Sequence, residues 1–318
     1  MKEQSENRQG GARKPGPGPG VAVILLMAGS VGATLATAPL IYNALILIGR
    51  QVPSMVGLRD LEFTSVVSRM VVMLIAIGLL PALWLGGARS WSQIGLGRTP
   101  GWRRQYVSGL GLGLLTILAA VSYLLATQRY TVHVETVSAL PGKLLGALLS
   151  AVIVAFFEEI LFRGALFGSL RKPMGFFGAV LFSSALYSLA HFAVPVPAVG
   201  IAHAHSYSGF NLVPDLFSWP HDPSYFVPAV FTLLLVGFTL CTFYARFGSL
   251  WFGIGLHMGW IWCLLSLPDF LTVAKDRANL PFADPANLSK TNAAFVAALV
   301  LVAAAGISRW RHSRGRST

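Results

Sequence analysis

Residues 142–170 read GKLLGALLSAVIVAFFEEILFRGALFGSL. A helix of about 20 mostly apolar residues, rising ~1.5 Å each, crosses a bilayer, and this run is long enough. Yet it carries two adjacent carboxylates, Glu158 and Glu159, and a guanidinium, Arg163. The rest of the chain says which solvent surrounds it. Of 318 residues only 11% are charged and 54% are hydrophobic, and the mean hydropathy is +0.65. A soluble domain carries about 25% charged residues. This composition excludes a soluble enzyme, a disordered chain and a disulfide scaffold, and it fits a multi-pass membrane protein. Cys241 and Cys263 lie inside apolar runs and carry no redox signal.

Outward from the quoted run, apolar stretches of spanning length fall near residues 21–48, 64–86, 106–127, 142–170, 175–194, 225–245, 248–267 and 292–308. The expected fold is all-α: a polytopic membrane helix bundle of about eight transmembrane helices. Lys and Arg set its orientation. With the N-terminus inside, the inner segments hold fifteen of them and the outer segments seven, which places both ends in the cytoplasm. The net charge of +12 is then a matter of topology and anionic lipid, and no nucleic-acid role is needed.

The expected organisation has four parts. Residues 1–20, with Gly-Pro-Gly-Pro-Gly, form a disordered cytoplasmic tail, and 21–90 a transmembrane hairpin. Residues 91–267 form a helix bundle with an outer loop at 195–224, and 268–318 a loop, a last span and a basic tail. Ala36-Thr37-Ala38 imitates a signal-peptidase site, but Pro39 follows at once and the apolar run continues, so an uncleaved anchor is expected. Residues 91–105, with Trp91, Trp102 and several arginines, suggest an amphipathic interfacial segment. Gly109, Gly111 and Gly113 point to close helix packing, because a phosphate loop needs a strand before its helix.

Lipid makes every buried charge costly unless it is paired or wetted, so each needs a reason. Arg69 lies near a span end and can snorkel. Glu159 and Arg163 stand four apart, on one helix face, in the favourable order for an ion pair. Glu158 points about 100° away with no local partner, and suits a general base. His191 and His257 each occupy an otherwise apolar helix. Either alone reads as a structural histidine. Counting from the span ends puts Glu158 ~18 Å and His257 ~13 Å inside the bilayer. A carboxylate and two imidazoles at such depth are the parts of a hydrolase, and also of a proton relay.

Glu158-Glu159-x-x-x-Arg163, then Tyr187-x-x-x-His191, then His257 in Gly-Leu-His-Met-Gly-Trp, resemble the motifs of the CPBP family, the CAAX-protease and bacteriocin-processing intramembrane proteases. The resemblance runs from about residue 91 to 267 and includes Ile94-Gly95-Leu96-Gly97-Arg98-Thr99-Pro100. It implies peptide-bond hydrolysis inside a membrane cavity, near the terminus of a membrane-tethered or lipidated protein or peptide. Glu158 with His191 would activate a water, His257 would bind or polarise the scissile carbonyl, and Glu159 and Arg163 would fix the helix or hold a substrate group. It also implies a prokaryotic inner membrane.

Two positions depart from the family pattern. Tyr187 stands where the family usually has Phe, and Ile261 where it usually has Asn or Asp. If that polar residue donates to an oxyanion, this chain lacks it; the indoles of Trp260 and Trp262 are nearby donors. The family is described both as metal-dependent and as glutamate-dependent. No cofactor is required on the glutamate reading, whereas Glu158, His191 and His257 could instead hold zinc with one position open for water. Rhomboid-type, aspartyl-type and nucleophile-elbow motifs are missing. The outer loop, with His203, His205, His221, Asp215 and Asp222 among aromatics, is expected to cap the cavity. The competing class is a non-hydrolytic membrane protein, either a peptide-toxin immunity factor or a proton-coupled transporter.

Overall fold

A computed structural model describes residues 18–133, 137–192, 203–214 and 223–273. It is mostly helical. The long helices are α1 (Pro19–Gln51), α2 (Phe63–Leu85), α3 (Trp102–Ala126), α4 (Leu140–Glu158), α5 (Gly168–Ala190), α6 (Pro223–Phe247) and α7 (Trp251–Ser266). A nine-residue π-helical stretch, Glu159–Phe167, joins α4 to α5. Six helical segments among the described residues are long and apolar enough to cross a membrane. The expected eighth span, 292–308, lies outside the described residues, as does the N-terminal tail up to residue 17.

One of the six segments runs 54 residues, Val137–Ala190, and merges two of the expected spans. It is folded on itself. Ser183 Oγ donates to the carbonyl of Phe162 at 3.0 Å, and the rings of Phe162 and Tyr187 meet edge to face at 5.1 Å. In a straight helix residues 162 and 183 would stand ~31 Å apart. The turn is at Gly175, with φ 69° and ψ 178°, a conformation essentially reserved for glycine, two residues after Pro173.

The bundle is apolar outside as well as inside. Leu40, Ile77, Ile153 and Phe177 are between 68% and 77% exposed. Water would penalise that surface and lipid does not, so side-chain size replaces hydrophobicity as the sorting rule between helices. The seam of α3 with α7 shows it. A Cβ on Gly109 would meet the Phe252 carbonyl at 2.2 Å, and one on Gly113 the Leu256 carbonyl at 2.4 Å. From the other side, Gly255 and Gly259 abut the carbonyls of Tyr106 and Leu110. Gly111 points away and meets nothing within 4 Å. The glycines of this segment thus serve close packing.

This seam aims α7. Gly255 and Gly259 lie one turn apart on the α3 side, and His257, about 200° around from Gly255, faces away from α3. The short strands β1 (Tyr130–Val132) and β2 (Leu271–Val273) pair antiparallel, Thr131 opposite Thr272, and tie the ends of α3 and α7 together. At the far end, Trp91–Ile94 forms one turn whose Trp91, Ser92 and Gln93 stay on the surface. Ile94 is buried, the Leu250 amide donates to Gly95 O at 2.8 Å, and Trp251 Nε1 donates to Gly97 O at 3.1 Å. This stretch has one hydrophobic anchor, one backbone partner and one indole partner, so it docks as a hook against the start of α7.

Gly113→Ala drives a methyl into the Leu256 carbonyl, which cannot step aside. The expected cost is ~1–3 kcal/mol, read as a lower unfolding temperature in detergent, whereas Gly111→Ala leaves that temperature unchanged.

Candidate active site

The π-helical stretch is buried almost throughout, and Glu159 and Arg163 are both 0% exposed. Arg163 Nη1 lies 3.0 Å from Glu159 Oε1. The guanidinium also stacks over the Tyr187 ring, with Cζ 4.5 Å from its centroid. Such a pair sits in apolar surroundings only because each charge neutralises the other, and loss of one partner strands the second. Room for Glu159 comes from Gly253, where a Cβ would stand 2.8 Å from Glu159 Oε2. Gly253 precedes His257 by one turn on the same face of α7.

His257 continues the network. Its Nδ1 lies 3.2 Å from Glu159 Oε1. Arg163 is a permanent cation, so the carboxylate beside it accepts, and Nδ1–H of His257 donates. The Nε2 of His257 then faces Glu158 Oε2 at 3.7 Å. On α5, Nδ1 of His191 lies 2.9 Å from the carbonyl of Tyr187. A carbonyl only accepts, so that nitrogen carries the proton, and Nε2 faces Glu158 Oε1 at 3.9 Å. Two imidazoles, each oriented by its other nitrogen, thus bracket one carboxylate. The Glu158 side chain is 17% exposed, against 0% for Glu159.

Two cavities meet here. One, about 370 Å³, lies between α1, α2 and α5 and is almost wholly apolar, with Met27, Val31, Val71 and Ile75 on its hairpin side. The other, about 280 Å³, lies between α4, α5, α6 and α7 and contains Tyr187, His257, Trp260 and Ile261. Among the described residues, only Glu158 and His191 line both.

The structure therefore brings together all five residues singled out in the sequence: Glu158, Glu159, Arg163, His191 and His257. Arg69 is exposed and takes no part. Of the two nearby indoles, Trp262 donates to the Leu144 carbonyl at 3.2 Å and is committed, while Trp260 lines the second cavity. Among the described residues no group of three or more His, Cys, Asp or Glu side chains is arranged to hold a metal ion. Of the outer loop, residues 203–214 are described. They rest on α1, where Asn43 clamps the backbone of Ala204 through both its amide nitrogen and its oxygen, and Gly209 presses on the Leu35 carbonyl. Leu35 also lines the larger cavity. His221, Asp215 and Asp222 lie outside the described residues. Sequence reasoning did not find the space-making role of Gly253. Its only trace is the small-residue spacing of Gly253, Gly255 and Gly259, which does not say which glycine faces which neighbour.

Residues 140–263 match the family model described as Rce1-like, type II CAAX prenyl endopeptidase. The matched segment is similar to that family's domain and contains the five clustered residues. It begins at α4, so the α1–α2 wall of the larger cavity lies outside it. No curated protein and no solved structure matches the chain.

Removing one member of the buried pair isolates the other in an apolar site. Arg163→Met is expected to cost ~3–5 kcal/mol, and Glu159→Gln/Arg163→Met together to recover most of it, by thermal unfolding in detergent. Equal losses in the single and double variants would show that the pair is not the source of the cost.

Proposed function

We propose that the protein is an intramembrane endopeptidase. It hydrolyses a peptide bond near the terminus of a membrane-tethered or lipidated protein, using a water activated by Glu158. The observation that carries this reading is the bracketing of one partly exposed carboxylate by two imidazole nitrogens, at the junction of two largely apolar cavities.

The separations of 3.7 Å and 3.9 Å exceed a direct hydrogen bond, and a single water spans them. Held by Glu158 and His191, that water gives a proton to Glu158 as its oxygen bonds to the carbonyl carbon. The carbonyl π electrons move to oxygen. Glu158 then returns the proton to the leaving nitrogen as the C–N bond breaks and the oxyanion reforms the carbonyl, which leaves a carboxylic acid and an amine, and the acid then ionises. His257, held through Nδ1 by Glu159, lines the same cavity and helps to seat the scissile peptide group. Glu159 and Arg163 keep His257 and the helix in place. Glutamate chemistry of this kind requires no cofactor.

The substrate's apolar group fits the 370 Å³ cavity, which opens the specificity of the site to the α1–α2 hairpin. The loop resting on Leu35 caps that cavity. With the charge distribution of the sequence, the reading includes eight spans with both ends in the cytoplasm of a prokaryotic cell and substrate drawn from the bilayer.

Glu158→Gln keeps the shape of the side chain and removes the base. Comparative membrane proteomics of wild type and Glu158→Gln is expected to show one protein that retains its terminal segment in the variant. His191→Ala and His257→Ala should give the same retention, and Arg69→Ala none. Processing that continues in Glu158→Gln would sink the protease reading. Purified protein is further expected to cleave its substrate at an undiminished rate in excess 1,10-phenanthroline, and loss of cleavage there would return zinc to the site.

A further inference from the structure

A hydrolytic site needs a donor for the oxygen that becomes negative, and few side chains on the cavity wall can supply one. The Nδ1 protons of His191 and His257 are spent on the Tyr187 carbonyl and on Glu159, and the Nε2 atoms of both face Glu158. Ile261, one turn beyond His257 and lining the same cavity, offers none. The remaining side-chain donors on the lining are the Tyr187 hydroxyl and the indole of Trp260. Tyr187 lines the cavity together with Glu158, and its ring lies 4.5 Å from the His191 ring and 6.3 Å from the His257 ring, so it belongs to the reacting end of the cavity. Its ring is held by Phe162 at 5.1 Å, by the Arg163 guanidinium at 4.5 Å and by His191 at 4.5 Å, which leaves rotation of the O–H as its main freedom.

We propose that the Tyr187 hydroxyl is the hydrogen-bond donor that stabilises the oxyanion formed when water adds to the scissile carbonyl. The inference rests on the glutamate-activated hydrolysis proposed above. On this assignment the phenol O–H turns toward the Glu158 carboxylate on the same lining before the reaction. As Glu158 takes the water's proton its negative charge disappears, and the same charge arises on the carbonyl oxygen. The donor turns from one acceptor to the other. No proton leaves Tyr187 and no bond to it forms or breaks. A donor that gains its strongest partner only as the transition state forms raises kcat rather than substrate affinity.

The test uses the full-length protein in detergent with two probes: an internally quenched peptide ending in a farnesylated cysteine and three further residues, and the same peptide with a phosphinate in place of the scissile amide. Tyr187→Phe is expected to unfold at the wild-type temperature, to lose ~10²–10³-fold in kcat with KM within about threefold, and to bind the phosphinate at least ~10-fold more weakly. Turnover within about threefold of wild type, or unchanged phosphinate binding, overturns the assignment. So does a weakened phosphinate in Trp260→Phe with Tyr187→Phe unaffected, since the donor is then the indole. Glu158→Gln separates the two proposals. If it is inactive while Tyr187→Phe is not, only the role of Tyr187 falls. If it remains active, or if wild type cleaves no such peptide, the hydrolase reading falls and this one with it.

Discussion

A full charge pair inside an apolar bundle dictates much of what surrounds it. Glu159 and Arg163 are both out of solvent, and neither would stay there without the other. The pair fixes a carboxylate at one point, and that carboxylate orients His257 through Nδ1. The guanidinium lies flat on Tyr187, whose carbonyl in turn orients His191. Both imidazoles that face Glu158 are therefore aimed from the same source. Glu158 itself keeps some exposure, which suits the proton exchange proposed for it. One carboxylate is immobilised while its neighbour in the sequence stays reachable.

Backbone geometry allows this arrangement. The π-helical stretch begins at Glu159, and such stretches accompany functional sites because the widened turn re-aims the side chains that follow. Gly175 then reverses the chain, so that α5 lies against the segment that precedes it and His191 returns to the level of Glu158. On α7 glycine acts twice. Gly255 and Gly259 let the helix touch the α3 backbone, and Gly253 leaves space for Glu159. Lipid solvation explains the reliance on glycine: with no hydrophobic gain between helices, close approach must come from removing side chains.

The matched segment holds the charged cluster, while the hairpin before it walls the larger cavity. On the proposed reading, chemistry and accommodation of an apolar group fall to different stretches of one chain. Glu158 and His191, common to both cavities, mark where the two meet.

The five clustered residues were legible in the sequence because lipid makes each intramembrane charge an exception that stands out from its neighbours. The membrane fold was legible on the same physical ground, since repeated apolar runs of spanning length are costly in water and at home in hydrocarbon. The Glu159–Arg163 pairing followed from helical spacing alone. Finer features were hidden. The docking of residues 94–97 was hidden because its partners, the Leu250 amide and the Trp251 indole, lie far along the chain. Gly253 looked like any packing glycine, and the Tyr187 hydroxyl like a small change from Phe. The sequence by itself determined which side chains are too costly to be accidental and which solvent surrounds them. Only the tertiary structure decided which way each one points, because direction depends on where two helices touch, and that contact is made by residues far apart along the chain.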